Sequence, residues 1–306
     1  MSDSLDLNTE EESLENLALI ILNYNSCDDT LRCVRKLLSF KRDFHIIVVD
    51  NMSSDDSYER LTKQLGGRKN VDLIESGRNG GYSFGNNLGM KYAIENYDVK
   101  ILGILNPDVI IPKIDVLTEM KNALESDPSY GIIGGSMIGA DHRYNSALSG
   151  WDVPTPFSIV WGHFLLSHVK NKKSGMRMVH YKLAQVGCVT GCFFLAKTHV
   201  MQELGFFDEN IFLYNEEDIL GLKCKRAGYK EVIALDQFYI HNHKYKTNEI
   251  IPLKRKIALK KEGYRSRKYI CKTYFSARLL PLLWCTEMMN RVYLTGCYVW
   301  NLFRRR

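Results

Sequence analysis

The sequence lacks the features that mark several common classes of protein. Its 8 cysteines form no CxxC pair and no Cys/His spacing typical of a zinc site, which excludes a cysteine-ligated zinc module. It has no continuous run of about 18 apolar residues, so we expect no membrane-spanning helix. It also has no internal repeat and no low-complexity segment. Hydrophobic residues make up 45% of the chain, and this predicts a folded core.

The N-terminus has neither the basic nor the apolar region of a signal peptide. Residues 1–16 are acidic instead, and we expect them to form a solvated leader. The cysteines show no disulfide framework, which predicts a reducing, cytoplasmic compartment with free and buried thiols. The net charge of +6 is concentrated in residues 244–272 and in the terminal Arg304–Arg306. This basic tail is compatible with nucleic acid or with an anionic membrane surface.

Apolar runs alternate with helical periodicity along most of the chain. We expect strands at 17–22, 44–49, 71–74, 99–105, 131–137, 191–196 and 232–234, and helices at 28–40, 55–65, 86–95, 113–126, 197–204 and 216–227. This order predicts an α/β fold with a mainly parallel sheet, right-handed crossovers and flanking helices. Residues 139–185 do not continue this alternation of strand and helix patterns, and they are expected to form an elaborated loop region.

Polar side chains follow the first two predicted strands where each strand ends. Asn23, Tyr24 and Asn25 follow the first strand, and Asp50 ends the second. The carboxyl ends of parallel strands meet at one sheet edge, where open α/β sheets bind ligands. We expect these residues to hold a nucleotide base and ribose, with Asp50 accepting a hydrogen bond from a pyrimidine N–H. Turn chemistry at strand ends is the alternative explanation.

The glycine-rich loop at 77–85 is neither of the two common phosphate-binding motifs. No GxGxxG follows the first strand, and no GxxxxGK[ST] is present. Its glycines also suit tight backbone turns.

Five segments together resemble glycosyltransferase family 2 enzymes of the GT-A fold. They are ILNYNS at 21–26, VVDNMSSD at 48–55, NGGYSFGNNLG at 79–89, LNPDV at 105–109 and GFFDENIFLYNEED at 205–218. The chain looks most similar to the bacterial branch with rhamnosyltransferases and capsule or O-antigen glycosyltransferases. The resemblance covers residues 17–243 and implies that Asn79, Asn87 and Asn106 lie beside a nucleotide-sugar donor.

The resemblance also implies a metal site at LNPDV, where the family has an Asp-x-Asp motif. Here Asn106 replaces the first aspartate, and Asp108 is expected to bind a Mg²⁺ or Mn²⁺ ion that bridges the donor diphosphate. A second protein ligand is needed, and His241 is the candidate, with His243 as the alternative. A histidine at such a position is also common as a packed or surface residue.

The general base is expected among the acids at 216–218. Aligned on Leu220, Glu217 takes the family's base position, and a shift of one residue would give Asp218 instead. Direct displacement implies inversion at the anomeric carbon. Acids at a helix N-terminus are also favourable in any protein. Trp151 and Trp161 suit either an acceptor-sugar surface or core packing.

The implied function is transfer of a sugar from a UDP- or dTDP-sugar, including dTDP-rhamnose, to a lipid-linked glycan. We expect a leader at 1–16, the catalytic domain at 17–250 and a basic, amphipathic helical region at 251–306. That last region predicts peripheral binding to the inner face of the plasma membrane and no nucleic acid partner. Packing on the catalytic domain or on a second subunit is the alternative.

Two other functions stay open from the sequence. A sugar nucleotidylyltransferase shares a nucleotide-binding sheet, but it usually opens with a glycine-rich stretch that residues 21–26 do not match. A nucleotide-binding or membrane-docking protein without catalysis would explain Asn106 and Ile219, which both depart from the family pattern.

Overall fold

The computed structural model describes residues 13–140, 143–144, 146–162, 175–242 and 253–303. The strands are β1 (Leu17–Asn23), β2 (His45–Asp50), β3 (Val71–Glu75), β4 (Ile101–Leu105), β5 (Val109–Ile110), β6 (Tyr130–Ile138), β7 (Gly150–Trp151), β8 (Arg177–His180), β9 (Leu183–Val186), β10 (Cys188–Val189), β11 (Phe193–Lys197) and β12 (Lys230–His241). The helices are α1 (Cys27–Leu38), α2 (Ser57–Leu65), α3 (Gly81–Asn96), α4 (Asp115–Glu125), α5 (Ser146–Ser149), α6 (Pro156–Trp161), α7 (Thr198–Glu203), α8 (Glu216–Ala227), α9 (Leu253–Tyr274) and α10 (Leu280–Phe303).

Most of the described strands form one mixed sheet. Its order is β3-β2-β1-β4-β11-β6-β12-β9-β8, and β5 pairs with β12. The strands β1 to β4 are parallel to their neighbours in this group, as expected. β11 runs antiparallel to both β4 and β6, so the second half of the sheet mixes both directions. The α/β class with flanking helices is confirmed.

The two faces of the sheet bury two separate apolar cores. Along β1, Leu17, Leu19 and Ile21 belong to one core, and Ala18 and Ile20 belong to the other. This alternation arises because successive side chains of a strand point to opposite faces. Helices α1, α2 and α4 cover the first face, and α3, α7 and α8 cover the second. A strand buried on both faces therefore reads as a continuous apolar run.

The structure differs from the expectation at α3, which begins at Gly81 instead of residue 86. The glycine-rich segment is therefore the first turns of this helix. A Cβ at Gly89 would lie 2.6 Å from Ile20 Cγ2, and one at Gly85 would lie 2.2 Å from Leu22 Cδ1. The glycines let α3 pack directly on β1, and this is a tertiary requirement that local propensity does not contain.

The region from 139 to 185 also contains more regular structure than expected. It includes β7, β8 and β9. Later in the chain, β12 extends over twelve residues where we expected three. All four residues of β8 are exposed, so this strand carries no apolar alternation that a sequence pattern could detect.

The C-terminal helices α9 and α10 pack against the rest of the described chain. Ile270, Cys271 and Leu283 form a third core with Ile159 of α6 and Ile219 of α8. Packing on the catalytic domain, the alternative considered for this region, is therefore present. Within the described residues, no helix combines the length and the apolar character that crossing a membrane requires.

Candidate active site

The expected site residues gather at the carboxyl edge of the parallel strands. β1 ends at Asn23 and β2 at Asp50, and these two residues are paired in the sheet register. β4 lies on the other side of β1, and Asn106 and Asp108 follow its end. Neighbouring strands are about 4.8 Å apart, so the ends of β2, β1 and β4 span roughly 10 Å.

Asp50 is fully buried, and its carboxylate is occupied by hydrogen bonds within the chain. It accepts from Asn23 Nδ2 at 2.7 Å, from Ser53 N at 2.8 Å and from Ser53 Oγ at 2.7 Å. Asn23 is buried as well, and its Oδ1 accepts from Thr30 Oγ1 at 2.7 Å. This geometry favours a positioning role for Asp50 and Asn23, in which they shape the loop after β2, over the direct base contact that we expected.

The exposed groups at this edge are Tyr24 and Asn25. Tyr24 is 46% exposed. Asn25 has a φ of 52° and is bonded through its amide to Ser54. The loops after β1 and β2 are therefore fastened to each other, and the ring of Tyr24 remains accessible to a planar ligand.

Asn79 joins a second network beside the first. Its Oδ1 accepts from the buried Asn51 Nδ2 at 3.1 Å and from Gly81 N at 3.1 Å. Gly81 has a φ of 87°, and a Cβ there would lie 2.1 Å from Phe212 O. The start of α3 therefore touches the segment that leads to the acids at 216–218.

Asn87 is buried, and the fold uses its side chain for structure. Its Nδ2 donates to Phe207 O at 3.0 Å and to Glu209 Oε1 at 2.8 Å, and its Oδ1 accepts from Phe207 N at 3.1 Å. This arrangement fastens the segment after α7 to α3. The structure therefore favours an indirect role for Asn87 over contact with a donor.

Asp108 and His241 lie side by side. Nε2 of His241 is 3.3 Å from Oδ1 of Asp108, and each side chain is about one fifth exposed, at 23% and 21%. The short pairing of β5 with β12 brings them together, because Val109 is opposite His241 and Asn242 N donates to Asp108 O. Asn106 N donates to Cys192 O at 2.8 Å, which ties this turn to the start of β11. His243, the alternative ligand, lies outside the described residues.

A carboxylate oxygen and an imidazole nitrogen at this spacing could bind one divalent cation. Only two side chains are present, and no group of three or more His, Cys, Asp or Glu residues in the described ranges could hold a metal. Phosphate oxygens and water would have to supply the other ligands. This composition fits a Mg²⁺- or Mn²⁺-type ion that arrives with a phosphate-bearing ligand.

The acids at 216–218 begin α8 after two residues with left-handed backbone. Tyr214 and Asn215 both have a φ of 71°, which costs about 1–3 kcal/mol for each non-glycine residue and is typical of functional sites. Glu216 is buried, and burial followed by repulsion from Glu217 raises the pKa of its carboxyl. Glu217 and Asp218 are partly exposed.

Glu217 is connected to the Asp108–His241 pair through residues 191–192, which precede β11. Its Oε1 accepts from Gly191 N at 3.1 Å, and Gly191 O accepts from Tyr82 Oη at 2.5 Å. Burial, and then the charge of Glu217, holds the pKa of Tyr82 well above its usual value. Burial is the main reason that the pKa of the adjacent Cys192 is raised to about 11, and the charges of Asp108 and Glu217 act in the same direction. Glu217 and Asp108 therefore flank the same segment.

Asp218 faces a different set of partners. Its Oδ1 accepts from Trp151 Nε1 at 2.9 Å, and its Oδ2 accepts from Asn215 Nδ2 at 2.6 Å. Trp151, Glu217 and Asp218 all line a cavity of about 800 Å³ that helices α9 and α10 help to enclose. Trp161 does not line this cavity. It packs against the third core and near Phe157.

Sequence reasoning missed several residues of this edge. Ser53, Thr30 and Asn51 complete the buried networks, and Gly191 positions Glu217. Ser53 and Asn51 lie within the VVDNMSSD segment at 48–55, so their position was a usable signal. Gly191 carries no such signal, since its role depends on contact with α8.

Comparison with known proteins defines the family. A model of glycosyl transferase family 2 matches residues 18–205. The chain therefore belongs to glycosyltransferase family 2. Among curated proteins, it is 26% identical over 209 residues to the low-salt glycan biosynthesis hexosyltransferase Agl10 of Haloferax volcanii. That match covers 68% of this chain and 61% of the relative's length.

Two solved structures share the fold at low sequence identity. Mannosyltransferase PcManGT from Pyrobaculum calidifontis, in complex with GDP-Man and Mn²⁺, gives a TM-score of 0.51 at 15% identity and covers 95% of this chain and 88% of that one. GalNAc-T7 with UDP, GalNAc and Mn²⁺ gives 0.53 at 15% identity and covers 76% and 44%. The expected GT-A fold is confirmed.

Proposed function

We propose that the chain is an inverting, metal-dependent glycosyltransferase that uses a nucleotide-diphospho-sugar. The observation behind this proposal is that residues 191–192 bond to both parts of the site. Gly191 N donates to Glu217, and Cys192 O accepts from Asn106 N in the turn that carries Asp108, the neighbour of His241. Family membership supports the reaction class, and the relatives' names, a hexosyltransferase of glycan biosynthesis and a mannosyltransferase, agree with it.

The donor is held at the ends of β1 and β2. Tyr24 and Asn25 present the accessible surface, and the buried networks of Asp50 and Asn79 fix the loops around it. The two solved neighbours carry UDP in one case and GDP-Man in the other, so the base is not fixed by the fold. We propose a UDP- or dTDP-sugar, with dTDP-rhamnose included.

Asp108 and His241 would hold a Mg²⁺ or Mn²⁺ ion together with phosphate oxygens of the donor. The Asp108 carboxylate is a ligand that suits these ions, and His241 Nε2 lies 3.3 Å from its Oδ1. Both solved neighbours contain Mn²⁺. When bound, the ion neutralises charge on the leaving nucleoside diphosphate. Asn106 shapes the turn through its backbone bond to Cys192.

Glu217 is the proposed general base. It accepts the proton of the acceptor hydroxyl while that oxygen forms a bond to the anomeric carbon, and the bond from this carbon to the diphosphate oxygen breaks. Gly191 N holds the carboxylate in place. Both oxygens of Asp218 already accept hydrogen bonds from Trp151 and Asn215, so Asp218 serves to orient the acceptor side.

The acceptor is a glycan, and we propose a lipid-linked one used for cell-surface polysaccharide such as capsule or O-antigen. The exposed half of α10 supports this, because it is apolar. It presents Leu282, Trp284, Met288, Met289, Val292 and Tyr293. We name these six residues the α10 apolar face. Exposed basic residues on α9 and on the turn before α10, including Lys268, Lys272 and Arg278, suit an anionic cytoplasmic leaflet. In this arrangement residues 17–250 are the catalytic domain and 251–306 the membrane-facing region.

Activity is tested with purified protein, a panel of nucleotide sugars, Mn²⁺ and lipid-linked acceptors. Release of nucleoside diphosphate that depends on the acceptor supports the proposal. We expect Glu217→Gln to lower kcat by about 10²–10⁴-fold with little change in donor KM, because it removes only the proton acceptor. Glu119→Gln, an exposed site on α4, is the matched control. Formation of pyrophosphate would indicate a nucleotidylyltransferase, and nucleotide binding without any turnover would indicate a binding protein.

A further inference from the structure

A buried arginine lines the same cavity as the proposed catalytic acids. Arg267 of α9 is 5% exposed, and it lines the cavity that Glu217 and Asp218 also line. Its Nη1 has no hydrogen-bond partner among the described residues. A guanidinium carries five N–H donors, and buried donors in folded proteins are almost always paired. Nη1 itself is covered, but it belongs to a side chain that lines the cavity, so a ligand bound there can supply the missing acceptor after a small rotation of the guanidinium.

The surroundings of Arg267 leave this end of the cavity positive. Glu287 Oε2 lies 3.4 Å from Arg267 Nη2, and Glu287 Oε1 lies 3.2 Å from Arg291 Nε. One carboxylate is therefore shared between two guanidinium groups. Lys260, two helical turns before Arg267 on the same side of α9, also lines the cavity and is exposed. The positive charge at this end exceeds the negative charge.

The cavity lining carries charges of both signs. Its acids are Asp152, Glu217, Asp218 and Glu287, and its basic residues are Lys260 and Arg267. Helices α9 and α10 contribute Lys260, Arg267 and Glu287, so two of their three charged lining residues are positive. Its volume of about 800 Å³ is large enough for a sugar together with a charged group. A substrate whose hydroxyl reaches Glu217 would extend its remaining part toward α9.

We propose that the acceptor carries an oxyanion, a phosphate or a carboxylate, and that Arg267 binds it with help from Lys260. This inference rests on the proposed function, since it assumes that the cavity receives the acceptor. The planar fork of arginine pairs with both kinds of oxyanion through parallel N–H bonds. The group is either a phosphate that joins the glycan to its lipid or the carboxylate of an acidic sugar.

The test measures probe binding by isothermal titration calorimetry on the full chain. UDP and Mn²⁺ are present at saturation, so that the nucleotide site is filled. The probes are decyl phosphate below its micelle concentration, glucuronic acid and inorganic phosphate. Arg267→Gln is compared with Arg265→Gln, an exposed arginine of α9 that pairs with Glu262 and does not line the cavity. Lys260→Gln is compared with Lys261→Gln, an exposed neighbour that does not line the cavity.

We expect Arg267→Gln to weaken binding of the preferred probe about tenfold or more, and Lys260→Gln about threefold, since each removes a charged donor. Both control variants should stay within about twofold of the wild type. Tighter binding of decyl phosphate would identify a lipid-linked phosphate as the source, and tighter binding of glucuronic acid would identify an acidic sugar.

Two results would overturn the inference. One is a wild type that binds UDP with Mn²⁺ but none of the three probes. The other is equal probe affinity in each variant and its control. If Arg267→Gln does not fold, the exposed Lys260 and Lys261 pair decides alone, and equal affinities of these two variants refute the proposal. Failure of UDP and Mn²⁺ to bind is a separate result, and it would count against the proposed function instead.

Discussion

At the scale of single residues, Gly191 shows how a backbone position can hold the side chain of the proposed general base. Its N–H donates to Glu217, and a Cβ at this position would lie 2.6 Å from Glu217 Oε1. The atoms that such a Cβ meets belong to the end of a flexible side chain, which can move without disturbing the backbone. A small substitution here should therefore affect catalysis far more than stability.

We predict that Gly191→Ala lowers kcat by about 10–100-fold, because it displaces the carboxylate of Glu217 by roughly 1 Å. The melting temperature should change by no more than about 4 °C. Steady-state kinetics and differential scanning calorimetry check both values. Gly296→Ala is the control, since a Cβ there meets no atom within 4 Å. Unchanged kcat in Gly191→Ala would show that Glu217 is not the base.

Some residues of the site could be predicted from the sequence, and the reason is physical. Asp108 follows a buried strand, so its place at the sheet edge follows from strand direction, and the family resemblance supplied the pairing with His241. Asp50 was placed at the correct edge, but its burial depends on Ser53 and Asn23 turning toward it. The unpaired donor of Arg267 had no sequence signal, because the other basic residues described between 257 and 272 are exposed and the packing of α9 on α10 covers this one side chain.

At the scale of elements, α10 has one buried face and one exposed apolar face. Leu283, Thr286, Glu287 and Asn290 are buried against the rest of the chain, and the α10 apolar face covers roughly the opposite half of the helix. The sequence predicted an amphipathic region here, since its apolar stretch is interrupted by charges. It did not show which half packs inward, because both halves contain large apolar residues.

We predict that the α10 apolar face binds anionic membranes. Val292 is 71% exposed, and Val292→Asp should reduce binding to phosphatidylglycerol vesicles about tenfold by removing an apolar contact and adding a like charge. Vesicle co-sedimentation measures this. Val179→Asp, at an exposed valine of β8, should have no effect. A wild-type dimer in gel filtration that Val292→Asp dissociates, without vesicle binding, would assign this face to a second subunit.

The elements of the sheet were predicted best where both sides are buried. The first four strands alternate with helices and show long apolar runs, so their positions and their parallel direction followed from the pattern. β11 reverses direction because the chain reaches it from the short strands β9 and β10 and not through a crossover helix. No local pattern encodes that path.

At the scale of the whole molecule, buried carboxyl groups link folding to pH. Burial raises the pKa of Glu231 to about 8, although its Oε2 accepts from Val189 N at 2.6 Å. The folded state therefore binds a proton that the unfolded chain releases near its usual pKa of 4.5. This contribution to stability is fully present below pH 4.5 and is lost as the pH rises toward 8. Glu216, with its raised pKa, acts in the same direction.

We predict that the free energy of unfolding falls between pH 5 and pH 8 and that Glu231→Gln makes this fall shallower. Each such group contributes at most about 1.4 kcal/mol per pH unit in this window. Urea denaturation at half-unit pH steps gives the slope. Glu119→Gln should leave it unchanged. An identical slope in Glu231→Gln and the wild type would show that Glu231 is ionised in the folded protein.

The metal-bearing donor is proposed to bind at Asp108 and His241, beside residues 191–192, whose backbone also bonds to Glu217. The most direct measurement is a crystal structure of the protein with UDP and Mn²⁺, with the ion located by anomalous scattering. We expect one Mn²⁺ peak within about 2.0–2.4 Å of Asp108 and His241, with the UDP diphosphate on the side of Glu217. A peak among the acids at 216–218, with Asp108 and His241 free of metal, would contradict this proposal.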